Sequence, residues 1–84
     1  MDIKIKKLRK KVDTIDSKLI SLLSGRFKAT KEIQSLKKKA GLSLRDSSRE
    51  DNIIKEAVKL SKNLKLDNNF IVDIFKKILK ESKK

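Results

Sequence analysis

Cysteine, histidine, tryptophan, tyrosine and proline are absent from the 84 residues, and glycine occurs only twice. Without cysteine or histidine the chain has no disulfide framework, no Cys/His zinc site, no thiol nucleophile and no imidazole base. Chemistry here runs on carboxylate, hydroxyl, ammonium and guanidinium groups, or there is no covalent step at all. The lack of proline removes the strongest helix breaker. Long apolar runs are missing too: none approaches the length of a membrane span. The opening Met1-Asp2-Ile3-Lys4-Ile5-Lys6 alternates apolar and charged residues, where a signal peptide would be continuously hydrophobic. The expectation is a soluble, cytoplasmic protein of one domain over residues 1–84, near the size at which a lone core gives marginal stability.

Cations, by contrast, are abundant. Lys and Arg number 24 against 11 Asp and Glu, a net charge of +13 that predicts an anionic partner: nucleic acid, a membrane surface or a small polyanion. Lysine is used by default and reads mainly as solvated helix surface, whereas arginine stands only at Arg9, Arg26, Arg45 and Arg49. A chain that keeps arginine to four sites is expected to use its planar, bidentate fork there.

With 42% of its residues charged the chain could pass for a disordered one. The placement of its apolar residues argues otherwise. Leu8, Val12, Ile15, Leu19, Leu22, Ala29, Ile33, Leu36 and Ala40 recur at alternating spacings of four and three, a helical seam with a coiled-coil-like period. Gly41 supplies the stop. Helix 1 should therefore span roughly residues 4–40 and be about 50–55 Å long. A compact chain of this size is only about 30 Å across, so the seam overhangs any single globule, and a second chain packed along it is predicted. Ser47 and Glu50 read as the N-cap and N3 of a capping box opening helix 2, which continues to about residues 60–63. That helix should bury Ile53, Ile54, Ala57, Val58 and Leu60. Asp67 reads as the N-cap of helix 3, whose stripe is Phe70, Ile71, Ile74, Phe75, Ile78 and Leu79, extended by Ser82. The fold class is all-α, one long helix and two shorter ones.

One seam position is charged. Arg26 falls between Leu22 and Ala29, where a cation is costly unless it pairs with an acid or meets an anionic ligand. Lys37, nearly a whole number of turns further, shares its face about 16 Å along the axis. Two cations on one inward face suggest a pocket for an anion with separated negative groups. Arg9, about 25 Å from Arg26 along the helix, can join them only from an antiparallel partner. Asp46 and Glu50 lie one turn apart with Arg49 beside them, and serve equally well as ordinary helix N-terminal acids. Nucleic acid is the weaker explanation of the charge, because no aromatic interleaves the basic stretches and no recognised binding motif appears. A membrane-surface helix is disfavoured by the narrow seam without Trp or Phe anchors.

Leu8-Arg9-Lys10-Lys11-Val12-Asp13-Thr14-Ile15-Asp16, followed by Leu19, Leu22-Leu23 and Arg26, resembles the opening helix of the all-helical chorismate mutases. Lys37 and Arg45-Asp46-Ser47-Ser48-Arg49-Glu50 match the rest of that pattern, and the resemblance covers essentially the whole chain. It implies an intertwined helical homodimer with two active sites. Arg26, Lys37 and Arg49 of one chain and Arg9 of the other would surround the two carboxylates of chorismate. Lys37 would also hydrogen-bond the ether oxygen, Glu50 and the Asp46 backbone would hold the ring hydroxyl, and Ser82 would contact a carboxylate. The implied reaction is the [3,3] rearrangement of chorismate to prephenate, on the route to phenylalanine and tyrosine, with no nucleophile, metal or cofactor.

One departure accompanies the resemblance. Family members usually carry a Gln or Glu further along helix 3 as a second donor to the ether oxygen, and the sequence stops at Lys84 before that position. Three readings stand open: the chain is shortened, another group substitutes, or turnover is weak until a partner intervenes. Some relatives work in complex with, or fused to, the first enzyme of the shikimate pathway. Two alternatives stand beside the mutase: an isochorismate-pyruvate lyase of the same fold, and a non-catalytic basic helical module that binds nucleic acid or a partner enzyme.

Overall fold

The computed structural model of the chain describes residues 2–84. Among them there are three α-helices and no strand: α1 (Ile3–Lys39), α2 (Ser47–Asn63) and α3 (Asn68–Ser82). Helix α1 begins where Asp2 caps it, its carboxylate accepting from the Lys4 backbone N–H at 3.0 Å. It ends where Gly41 takes a left-handed φ of 70°. There the Leu42 N–H donates to the Lys37 carbonyl at 2.8 Å and the Gly41 N–H to Lys38 at 3.2 Å, the paired bonds of a Schellman cap. The expected helix and its glycine stop are both present, within a residue of the predicted ends.

The chain divides into two units, Met1–Ile33 and Gln34–Lys84. In the first, the apolar seam of α1 is uncovered: Leu8, Val12, Ile15, Leu19 and Leu22 are between 47% and 70% exposed. Leu23, Arg26, Phe27 and Thr30 are half-buried on an adjoining strip of the helix.

In the second unit α2 packs on α3. Ile53, Ile54, Ala57 and Val58 are half-buried, as are Ile71, Val72, Ile74, Phe75, Ile78 and Leu79. Leu60 and Phe70, expected inside, are exposed. Each stands one residue from the centre of its helix's covered stripe, next to Ser61 and Ile71, and is thereby turned about 100° away from it. Ser61 is the one fully buried residue among those described, and its hydroxyl donates to the Leu66 carbonyl. That bond closes the end of α2 together with Leu66 N–H to Ser61 O (2.9 Å) and Lys65 N–H to Lys62 O (3.2 Å). It is a second Schellman cap, with Lys65 rather than glycine in the left-handed position at φ 59°.

The start of α2 differs from the expected capping box. Asp46, not Ser47, is the N-cap, and its carboxylate accepts from the Arg49 backbone N–H at 2.9 Å. Glu50 therefore falls one place beyond N3, out of register for a reciprocal bond to the cap, and its carboxylate goes elsewhere. At α3 the expected cap is found: Asp67 accepts from the N–H groups of Asn69 and Phe70.

Candidate active site

Five of the seven residues singled out from the sequence, Lys37, Asp46, Arg49, Glu50 and Ser82, belong to the second unit, while Arg9 and Arg26 belong to the first. Within the second unit they sit at three helix ends. Lys37 is in the last turn of α1, Asp46 caps α2 and Glu50 is in its first turn, and Ser82 closes α3.

Two contacts bring those ends together. The Gln34 side-chain amide donates to the Ser82 backbone carbonyl at 2.9 Å, joining the end of α1 to the end of α3. The Lys83 ammonium meets Glu50 Oε1 at 2.7 Å, joining the end of α3 to the start of α2. Lys37 lies three residues beyond Gln34 and neighbours it on the helix surface. Both are half-buried, as are Glu50 and Ser82. Ser82 and Glu50 are thereby tied into the junction where α1 and α3 finish and α2 begins, and Lys37 stands on the stretch of α1 that reaches it.

The backbone chemistry of these ends is already satisfied. Asp46 spends its carboxylate on the Arg49 N–H and accepts the Glu50 N–H at its carbonyl. The Arg49 guanidinium is carried on an exposed residue in the first turn of α2. The Ser82 hydroxyl donates to the Ile78 carbonyl at 2.8 Å, so it must redirect its proton to meet a carboxylate. In the first unit Arg26 is half-buried, and Arg9 lies with Asp2, Ile3, Ile5 and Lys6 around an open depression at the start of α1.

Gln34 and Lys83 were not singled out from the sequence. Gln34 is a polar residue between two seam positions, Ile33 and Leu36, and its one signal was proximity to Lys37 on the helix surface. Lys83 looked like any other lysine of a lysine-rich chain. Among the described residues no cluster of acidic side chains is arranged to hold a metal ion, and no helix is long and apolar enough to cross a membrane.

The sequence matches the chorismate mutase type II family over residues 8–84. It is 31% identical over 80 residues to the chorismate mutase of Methanocaldococcus jannaschii, an alignment covering 95% of this chain and 81% of that protein. It is 37% identical over 60 residues to a bifunctional chorismate mutase/prephenate dehydratase of Aquifex aeolicus, covering 71% of this chain and 17% of that one. The corresponding bifunctional protein of Escherichia coli K12 is 31% identical over 75 residues, covering 89% of this chain and 19% of its own length.

Proposed function

Because the chain belongs to the chorismate mutase type II family and is a chorismate mutase, we propose that Arg26, Lys37, Asp46, Arg49, Glu50 and Ser82 of one protomer, with Arg9 of a second, form its substrate site. The observation that supports this reading is the pair of contacts, Gln34–Ser82 and Lys83–Glu50, that join the three helix ends carrying Lys37, Glu50 and Ser82. Residues up to 45 positions apart in sequence are carried on helix ends that those contacts join, as a compact substrate requires.

In the rearrangement one C–O ether bond breaks as one C–C bond forms, within a single molecule and with no proton transferred. The protein's work is orientation and charge stabilisation. Arg26, Arg49 and the second protomer's Arg9 grip the two carboxylates and hold the enolpyruvyl arm over the ring, so that rotational freedom is lost on binding rather than at the barrier. Guanidinium suits that task because its planar fork meets a carboxylate with two parallel hydrogen bonds. Lys37 faces the ether oxygen, where negative charge grows as the bond lengthens; a fixed ammonium there stabilises the transition state more than the bound substrate. Glu50 accepts from the ring hydroxyl.

The proposed second protomer is supported by the uncovered seam of α1, since Leu8 through Leu22 expose about half their surface or more and no apolar residue among those described is fully buried. A chain with so little core is a poor monomer.

Incubating the purified protein with chorismate, and separately with isochorismate, tests the reading. Prephenate is expected from the first and no pyruvate from the second. Lys37→Ala should lower kcat by about a hundredfold or more without changing the oligomeric state. Full activity in that variant would remove Lys37 from the site.

A further inference from the structure

The Lys83–Glu50 pair differs from the local surface pair beside it in its span and in the burial of its acid, although the Lys83 side chain is itself 55% exposed. Lys84 and Glu81 pair locally, three residues apart on one helix end, with side chains 69% and 56% exposed. Lys83 reaches instead from the end of α3 to the first turn of α2, at 2.7 Å, onto a Glu50 side chain only 26% exposed. Its backbone is fixed on the way: Lys83 is the C-cap of α3, its N–H bonded to the Lys80 carbonyl, and Ser82 immediately before it is held by the Gln34 amide. A tethered lysine thus delivers its charge to one oxygen of Glu50, Oε1.

We infer that Lys83 is a positioning residue of the mutase site: it holds the Glu50 carboxylate by one oxygen, leaves the other to the substrate's ring hydroxyl, and offsets the carboxylate's charge against a dianionic substrate. This rests on the proposed placement of Glu50 against that hydroxyl. A carboxylate is a good acceptor for a hydroxyl but a poor neighbour for a dianion, because like charges at short range in a partly buried site repel. A cation on the far oxygen keeps the acceptor while reducing the repulsion. The ring hydroxyl and the overall charge of the substrate are the same before and during the rearrangement, so Lys83 acts on ground state and transition state alike. Its loss therefore raises KM and leaves kcat nearly unchanged. That signature separates it from Lys37, whose loss falls on kcat.

The test compares Lys83→Met, Lys83→Arg, Glu50→Gln and the double variant Lys83→Met/Glu50→Gln in steady-state kinetics with chorismate at fixed ionic strength, with helicity and oligomeric state verified for each. Lys83→Met should raise KM about three- to fivefold, the scale of one partly exposed ion pair, with kcat held within about twofold. Lys83→Arg should return KM to the wild-type value, and Glu50→Gln should lower kcat/KM. With Glu50 already neutral, adding Lys83→Met should change KM little. An equal KM increase in both backgrounds would mean that Lys83 acts only as one more surface cation attracting an anion, and would overturn the inference. So would an unchanged KM in Lys83→Met. Wild-type kinetics for Glu50→Gln would overturn the placement of Glu50 and the inference with it, while Lys37→Ala reads separately whether the rest of the site stands.

Discussion

The uncovered seam of α1 gives a quantitative forecast for assembly. Leu19, in the middle of the first unit, keeps 55% of its surface exposed. Complete burial of a leucine side chain contributes about 1.5–3 kcal/mol, so covering what remains of Leu19 is worth about 1 kcal/mol. A symmetric dimer contains the residue twice. Leu19→Ala should then weaken association by about 2 kcal/mol, or about thirtyfold in the dissociation constant. Alanine is the best helix former, so the substitution does not melt α1, and unchanged helicity at high concentration serves as the control. Sedimentation equilibrium across a wide concentration range measures the shift. Specific activity should fall on dilution at a correspondingly higher concentration, because a site that borrows Arg9 exists only in the dimer. A dissociation constant unmoved by Leu19→Ala would refute the seam as the interface. A monomer with full activity at every dilution would refute the shared site itself.

Two further outcomes follow from the same geometry. Arg9→Ala and Arg26→Ala chains, each inactive alone, should recover about a quarter of wild-type activity after random subunit exchange, since half the dimers are mixed and each has one site with both arginines; no recovery despite verified exchange would place the two arginines in one chain's site or in none. Gly41→Ala should destabilise by about 1 kcal/mol, because φ is 70° and no heavy atom stands within 4 Å of the added Cβ, which leaves backbone strain as the whole cost. Lys65→Gly, at φ 59°, should do the reverse by about 0.5–1 kcal/mol, both read by urea unfolding at one fixed chain concentration.

What could be read from the sequence was what depends on local chemistry. The bounds of α1 follow from a seam with no proline in it and the glycine after it, and the cap of α3 from an aspartate three residues before the phenylalanine that opens its apolar stretch. The start of α2 shows where local reading stops. Asp46, Ser47 and Glu50 allow two cap registers, and Ser47 with Glu50 is the better motif on paper. The choice falls to Asp46 in a structure where the Glu50 carboxylate has a partner 33 residues away in Lys83. Nothing within the turn records that partner. Leu60 and Phe70 fail for a related reason: periodicity says that a helix has an apolar side but not how wide a neighbour will cover it. Gln34 is the clearest case of a residue whose partner is invisible in sequence, because it bonds to the carbonyl of Ser82, a group every residue has.

The proposed site at these helix ends has an electrostatic consequence that would tie the lysines to both fold and function. The C-termini of α1 and α3 each carry partial negative charge from carbonyls pointing past the last turn, roughly half an elementary charge apiece. Unopposed, those ends would repel a dianion. Lys37, Lys38 and Lys39 crowd the last turn of α1, Lys80 stands in the last turn of α3, and Lys83 caps it. Each stabilises its own helix through the same field that it cancels for the substrate. The N-terminus of α2 already favours an anion, and there the chain places its acids, Asp46 as cap and Glu50 in the first turn. In the proposed site these acids would stand beside a dianionic substrate, with one bonded to the Arg49 N–H and the other held by Lys83. The net charge of +13 is therefore less informative than its distribution: cations where the helices end, acids where α2 starts, and a lysine bridging the two.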